Sequence, residues 1–375
     1  MTRISARKFE AFEKAYERGL KGKIETFDVW LQSLGLDPVL FESLQDSILQ
    51  NPELTVDREK ELEAIAEFIG FYERQPNQIY HLPLIGVLGS GKTQLFHLVA
   101  KLLEKLKTEL TWQIVDASTF SEIDEESETE EKQAFYQLLD ELRKKHTQIL
   151  LVDSCDEDKN IIESLRQIAK TLKKGLIITS WTSHYWNHLR DSIEETIPVS
   201  KEVFVGPLSS EDTSDLIGAI LQKASKGKFR LTPELPKKIH SYSKGIPGVT
   251  VNLLVTTLRQ AFVQGSDRIT VETVDNAAET LGIKGIDEKV AKLADHQLVI
   301  VRHILLENDK RGMSPSKLVE LLGKDKATVS YHLTSLTSER LLAFEKVGRY
   351  SFYYIRPGIE PFIQLRIAQE SEFLA

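Results

Sequence analysis

The chain has 375 residues, 41% of them apolar and 28% charged, which is enough for two or three domains at roughly 150 residues each and excludes wholesale disorder. A formal charge of −8 excludes a uniformly basic nucleic-acid coat but allows a basic patch on one domain. A single cysteine, Cys155, excludes an intramolecular disulfide framework and a cysteine-cluster zinc site. No apolar run reaches the ~18 residues of a membrane span, and the opening MTRISARKFEAFEKAYERG has no signal-peptide apolar stretch. A soluble, cytoplasmic protein with no membrane partner is expected.

Four zones follow in chain order. Residues 1–52 read as an N-terminal helical segment. Its opening sets seven lysines and arginines, from Arg3 to Lys23, against Glu10, Glu13 and Glu17. That is either a solvated helix face or an arm for nucleic acid or a partner. Residues 53–205 alternate buried strand-like runs (IYHLPLIGVLG, LTWQIVDAS, QILLVD, GLIITS) with helical patterns such as TQLFHLVAKLLEKL and KQAFYQLLDELRKK. This rhythm predicts a parallel sheet with helices on both faces. An acidic stretch, Ser121 to Lys132, interrupts it as a solvated loop running into a helix. Residues 206–283 read as a small helical bundle, with helices starting near Ser210, Thr232, Pro247 and Thr270. Residues 286–375 give helices and then two strand-like runs around Gly348, read as a separate domain.

The strongest signal is Gly86-Val87-Leu88-Gly89-Ser90-Gly91-Lys92-Thr93. It matches G-x-x-x-x-G-K-[ST] between an apolar strand and a helix. Gly86, Gly89 and Gly91 let the backbone curl so that N–H groups, with that of Ser90, point at phosphate oxygens. The helix N-terminus adds partial positive charge. Lys92 reaches the β- and γ-phosphates of ATP, and the Thr93 hydroxyl ligates Mg²⁺.

The metal needs a further carboxylate at the end of a neighbouring strand, and Ile149-Leu150-Leu151-Val152-Asp153 supplies it. The next slot, where many ATPases place a glutamate that polarises water, holds Ser154. Asp156 or Glu157 are the alternatives for that role, so nucleotide binding with slow hydrolysis is expected. Thr179, at the end of the following strand, is read either as a hydroxyl contact to water or γ-phosphate or as a helix cap. Arg190 is read either as an arginine finger toward a neighbouring subunit or as a surface residue.

These zones resemble AAA+ or STAND-type ATPases, and within them the archaeal ATPase and origin-recognition initiator families, over about residues 53–283. Val56-Asp57-Arg58-Glu59-Lys60-Glu61-Leu62 is similar to a box that in these families lies near the nucleotide base, which places Arg58 there. Phe204 to Ser209 and Glu211 resemble the passage into the lid. Gly245-Ile246-Pro247-Gly248 is similar to the lid's G-x-P motif, which places Pro247 by the nucleotide. Gly248 and Val249 stand where the initiators commonly carry an arginine, a departure that fits the STAND or archaeal-ATPase branch.

In the fourth zone, Ser314 to Gly323 reads as a short helix and Lys326 to Leu336 as a second. Val329, Leu333 and Leu336 form the buried stripe of the second. Lys326, Thr328, Ser330, Tyr331 and Thr334 are left to meet bases and phosphates in a major groove. A hairpin follows with Arg349 at its tip. Between Ser314 and Arg356 seven basic residues stand against four acids, a local net of +3. The pattern looks like a winged helix, and TVSYHLTSLTSERLL is similar to the recognition helix of ArsR-type regulators, without their metal-sensing cysteines.

The predicted architecture is therefore α/β: a P-loop parallel sheet with helices on both faces, a helical lid and a C-terminal winged-helix domain. The predicted function is an ATP- and Mg²⁺-dependent switch that binds duplex DNA and can form a homo-oligomer. Two rival readings stay open. One is a nucleotide-locked scaffold whose winged helix binds a protein partner, and the other is an ATPase of DNA transposition or segregation.

Overall fold

A computed structural model of the chain describes residues 12, 13, 16, 17, 26–42, 44–106, 108–120, 130–307 and 312–374. The seven basic residues of the N-terminal opening and most of the acidic stretch, 121–129, lie outside the described residues.

Three short helices lie between residues 27 and 49: α1 (Phe27–Ser33), α2 (Pro38–Glu42) and α3 (Leu44–Leu49). The α/β unit follows as α4 (Glu59–Arg74), β1 (Ile79–Gly86), α5 (Lys92–Leu106), β2 (Trp112–Asp116), α6 (Glu130–Lys144), β3 (Ile149–Asp153), α7 (Ile161–Leu172), β4 (Gly175–Thr182), α8 (Ser183–Thr196) and β5 (Val203–Phe204). The five strands form one parallel sheet in the order β2-β3-β4-β1-β5. β3 and β4 are buried along their whole length because helices cover both faces, which is why they read as continuous apolar runs.

Alternate strand residues enter two different cores. Ile149, Leu151, Leu176 and Ile178 pack with α4 and α5. Leu150, Val152, Ile177 and Trp181 pack with α6, α7 and α8. Gly86, the last residue of β1, pairs with Thr182 at the end of β4, and β3 ends in Asp153 one strand further over. The loop after β1 and the carboxylate after β3 are thereby brought to the same edge of the sheet.

The helical bundle comprises α9 (Ser210–Ser225), α10 (Glu234–Ser243), α11 (Pro247–Gln264) and α12 (Val271–Thr280). Its helix starts have a local cause. The Ser209 and Thr270 hydroxyls accept from the amides of Asp212 and Thr273, and Pro247 opens α11, satisfying N-terminal donors or removing one.

The remainder comprises α13 (Ile286–Ala291), α14 (Asp295–Leu305), α15 (Pro315–Leu322), α16 (Lys326–Ser338), β6 (Leu342–Val347), β7 (Tyr350–Ile355) and α17 (Glu360–Leu374). β6 and β7 pair antiparallel across the two-residue turn Gly348-Arg349. Gly348 has φ +62° there, which suits the first position of a hairpin turn whose twist matches the strands. Met313 adds a bridge to Tyr353. The apolar core of this part is continuous with the bundle: Val274 and Ala277 of α12, Ile286 and Val290 of α13, and Leu333 and Ile363 belong to one buried cluster, which also takes in Trp30 and Leu31 of α1. Among the described residues, no helix is long and apolar enough to cross a membrane.

Candidate nucleotide-binding site

The loop Gly86–Thr93 joins β1 to the first turn of α5 and lines a cavity of about 930 Å³. Glycine is required at its start. A Cβ on Gly86 would stand 2.6 Å from the Val205 carbonyl and 2.6 Å from the Ser90 hydroxyl, inside van der Waals contact. Lys92 Nζ donates to the carbonyls of Gly86 and Val87, both at 3.1 Å. Burial pushes its pKa down, while Asp156 and Asp153 oppose that shift. The ammonium is thus held inside the loop, facing two carboxylates across the cavity.

Thr93 and Asp153 both line this cavity. The Ser180 hydroxyl donates to Asp153 Oδ1 and accepts from the Ser154 amide at 3.0 Å, so β4 fixes the orientation of the carboxylate that ends β3. A hydroxyl and a carboxylate beside a phosphate loop are the hard oxygen donors that Mg²⁺ takes when it keeps several waters. Buried beneath the loop, the Ser90 hydroxyl has no hydrogen-bond partner. The residues therefore fit a Mg²⁺-nucleotide, with Lys92 toward phosphate and Thr93 and Asp153 toward the metal.

Ser154 has left-handed backbone, φ +55°, and turns the chain so that Asp156 re-enters the cavity. The Asp156 carboxylate accepts from the Thr182 amide at 2.9 and 3.1 Å. Burial raises its pKa, and Lys92 works against that rise. Glu157 lines the same cavity.

Two expected residues stand elsewhere. Thr179 is fully buried on the opposite face of β4, where its hydroxyl meets His81 Nε2 at 2.8 Å and Trp181 Nε1 at 2.7 Å. In a strand successive side chains alternate faces, so the hydroxyl that reaches Asp153 belongs to Ser180. Arg190, on α8, is paired through Nε with Glu202 at 2.9 Å and is not among the residues lining the cavity.

Arg58 lines the cavity, but its guanidinium is turned into the protein. Nη2 donates to the carbonyls of Ser90 at 3.2 Å and Gly206 at 2.9 Å, and Nη1 to Glu61 at 3.3 Å. It clamps the phosphate loop to the passage between sheet and bundle. Pro247 lines the cavity from the bundle side. The Gly248 amide beside it donates to the Gly89 carbonyl at 2.9 Å, and a Cβ on Gly248 would stand 3.1 Å from Gly89 Cα. Gly248 is therefore a residue whose lack of a side chain lets bundle and loop touch.

A wall of the cavity that the sequence did not signal comes from the end of the chain. Pro357, Gly358, Glu360 and Pro361 line it. Gln364, fully buried on α17, accepts from the Leu88 amide at 2.6 Å and donates to Glu360 Oε1 at 2.8 Å. Nothing local in sequence links residue 88 to residue 364.

In the C-terminal part, Val329, Leu333 and Leu336 are buried as the stripe predicts. Tyr331 is 71% exposed, with its ring edge-on to that of His332 at 5.2 Å. Thr328 is engaged by the Asp325 cap, whose carboxylate accepts from its amide at 2.9 Å and its hydroxyl at 2.6 Å. Thr334 Oγ1 donates to the Ser330 carbonyl at 2.8 Å. At the hairpin tip, Arg349 lies 5.1 Å from the Tyr350 ring centroid and donates to its hydroxyl at 2.9 Å. Lys326 opens the same helix.

No protein-family model matches the chain, and no curated protein matches it. Solved structures do. The ORC1 protein of Aeropyrum pernix, solved in complex with DNA, is 17% identical, with a TM-score of 0.52 over 87% of this chain and 97% of that one. The Thermotoga maritima RuvB Holliday junction branch migration motor is 17% identical, with a TM-score of 0.46 over 80% of this chain and 93% of that one. The ORC2 protein of Aeropyrum pernix, in ADPNP–ADP complexes, is 14% identical, with a TM-score of 0.46 over 84% and 95% of the two chains. The likeness to ORC1 establishes the fold: a P-loop parallel sheet of the AAA+ kind, flanked by helices and followed by further helical elements.

Proposed function

We propose that this protein is an ATP-binding, slowly hydrolysing switch that binds duplex DNA through its C-terminal elements. The observation that carries the nucleotide reading is one cavity lined by Lys92, Thr93, Asp153 and Asp156, closed on the bundle side by Gly248 against Gly89. In this reading Lys92 holds the β- and γ-phosphates, Thr93 and Asp153 hold Mg²⁺, and the bound metal supplies charge neutralisation at the phosphates. Asp156, fixed by the Thr182 amide, is the carboxylate that orients water, since Ser154 offers none. That carboxylate is pinned by a backbone amide and stands off the slot directly after Asp153, which supports slow turnover. Asp156→Asn tests this: hydrolysis falls about tenfold or more with nucleotide affinity retained, whereas unchanged hydrolysis moves the role to Glu157.

For the DNA reading, support comes from the helices α14 to α16 with an antiparallel hairpin, an arrangement of winged-helix kind. Exposed Tyr331, Lys326 at the start of α16 and Arg349 at the turn lie on these elements. The similarity to ORC1 in its DNA complex is consistent with this assignment. Closure of the bundle on nucleotide would then reset the C-terminal elements through their shared core. Assembly of several copies along DNA, with Arg190 serving a neighbour, belongs to the same proposal and requires release of Arg190 from Glu202.

A second reading is favoured by one observation: Phe344, Val347 and Tyr350 on the hairpin are each 40% exposed or more, an apolar surface suited to a protein partner. Titration of the full chain with labelled duplex DNA in low salt, with and without Mg-ATP, separates the two. Binding that weakens with salt supports the DNA reading, and no binding in either state overturns it.

A further inference from the structure

Three helices cover one face of the sheet, and they end differently. α6, α7 and α8 share a core through Leu142, Leu165, Ile168 and Ile193. Each leads into the start of a parallel strand, at the edge of the sheet away from the phosphate loop. The ends of α6 and α7 carry Arg143, Lys144, Lys145, Lys170, Lys173 and Lys174, all exposed. Two acids stand among them, Asp140 and Glu141, which leaves a local net of +4 in a chain of −8. Arg143 and Lys145 pair with these acids at 3.5 and 2.8 Å. Among the described residues, Lys144, Lys170, Lys173 and Lys174 make no salt bridge. The two ends adjoin: Ile149 of β3 pairs with Leu176 of β4, and the Leu176 N–H donates to the Gln148 carbonyl at 2.8 Å. The attraction of cations to a helix C-terminus accounts for a lysine at an end, but not for this distribution. α8 packs in the same core, and its last turn holds no base and two acids, Glu194 and Glu195.

We propose that the adjoining ends of α6 and α7 form a second nucleic-acid surface, which takes the phosphate backbone of duplex DNA without reading its sequence. This rests on the reading that duplex DNA is the partner, and adds a surface apart from the C-terminal elements. The chemistry favours phosphate over a protein. No large apolar side chain of residues 140–146 or 170–174 is exposed, whereas protein interfaces centre on apolar and aromatic side chains and are poor in lysine. Flexible lysines without an apolar centre suit a polyanion, where each phosphate they neutralise releases a counterion. β3 runs from this edge to Asp153 in the cavity, a span of about 13 Å, so the surface is separate from the phosphate loop. The C-terminal part is anchored at the other end of the strands, by Gln364 on the Leu88 amide. The chain thus presents cations for DNA from two separate places, and can hold two duplex segments at once.

The test is a fluorescence-anisotropy titration of the full-length protein with a labelled duplex of arbitrary sequence, from low to moderate salt. Lys144→Gln, Lys170→Gln, Lys173→Gln and Lys174→Gln together are expected to weaken binding about tenfold or more at low salt. They should lower the slope of log affinity against log salt by about 3, and Lys174→Gln alone by about 0.9, as for one phosphate contact. Mg-ATP binding and the thermal midpoint should keep their wild-type values. A Lys326→Ala, Arg349→Ala protein is expected to retain a salt-dependent affinity for DNA that the four further changes remove. An unchanged slope and affinity in the fourfold variant overturns the proposal and leaves the C-terminal DNA reading intact. Complete loss of DNA binding in Lys326→Ala, Arg349→Ala also overturns it, since nothing is then held at the second surface. No DNA binding by the wild type overturns both readings. Unchanged DNA binding in the fourfold variant with lost binding of poly-glutamate assigns the surface to an acidic protein, and likewise overturns the proposal.

Discussion

The two walls of the cavity at the phosphate-loop motif are built in opposite ways. The inner wall is contiguous: eight residues from Gly86 to Thr93 sit between a strand and a helix, and their chemistry follows from their order. The outer wall joins Gly248 and Gln364 to that loop across most of the chain, through one hydrogen bond at 2.9 Å and one at 2.6 Å. In the proposed reading the inner wall holds phosphate and the outer wall controls access to it, so that chemistry would be encoded locally and control by packing.

The largest effect that could break this contrast is at the inner wall. Lys92→Ala removes the cation that faces both carboxylates, and nucleotide binding is expected to fall by about two orders of magnitude or more in a thermal-shift titration with Mg-ATP. Next comes the outer wall on the bundle side. Gly248→Val forces a side chain against Gly89, an overpacking of about 1–3 kcal/mol, and should weaken nucleotide binding while the isolated thermal transition shifts only slightly. Equal losses of affinity in Gly248→Val and Gly248→Ala would argue against a steric cause.

Smaller effects sharpen the comparison at the C-terminal elements. Arg349→Ala should weaken duplex DNA binding several-fold on every sequence and reduce the slope of log affinity against log salt by about 0.9, as for one lost phosphate contact. A changed sequence preference instead would place Arg349 in a groove.

A separate effect, on stability and not on binding, concerns β1 and α8 behind the site. Burial lowers the pKa of His81 and of His184 from 6.5 to about 4. Both are neutral when folded and take up protons on unfolding at mildly acid pH. Their contribution is therefore fully present above pH 6.5 and is lost as pH falls from 6.5 toward 4. The thermal midpoint should drop across that window, and His81→Asn should flatten the drop.

The sheet and loop were legible because each depends on short-range rules. Apolar runs flanked by helical patterns gave β1 to β4, and Ser209, Pro247 and Thr270 marked helix starts through capping chemistry. Asp153 was legible as the polar end of a buried strand. Ser180 was missed by one position, although counting alternate residues from Ile178 assigns it to the face of the phosphate loop. Arg58 was expected near the phosphate loop and lines the cavity, but the direction of its guanidinium depends on the Gly206 carbonyl far along the chain. Glu360 and Gln364 left no signal, because an exposed-looking i, i+4 acid–amide pair on a helix is ordinary until the helix is docked.

The most direct test of the account is a calorimetric titration of Mg-ATP into the full-length protein at low salt. Saturable binding of one nucleotide per chain, lost in Lys92→Ala, is the expected result. An absence of binding heat across several temperatures, with no thermal stabilisation by Mg-ATP or Mg-ADP, would contradict it.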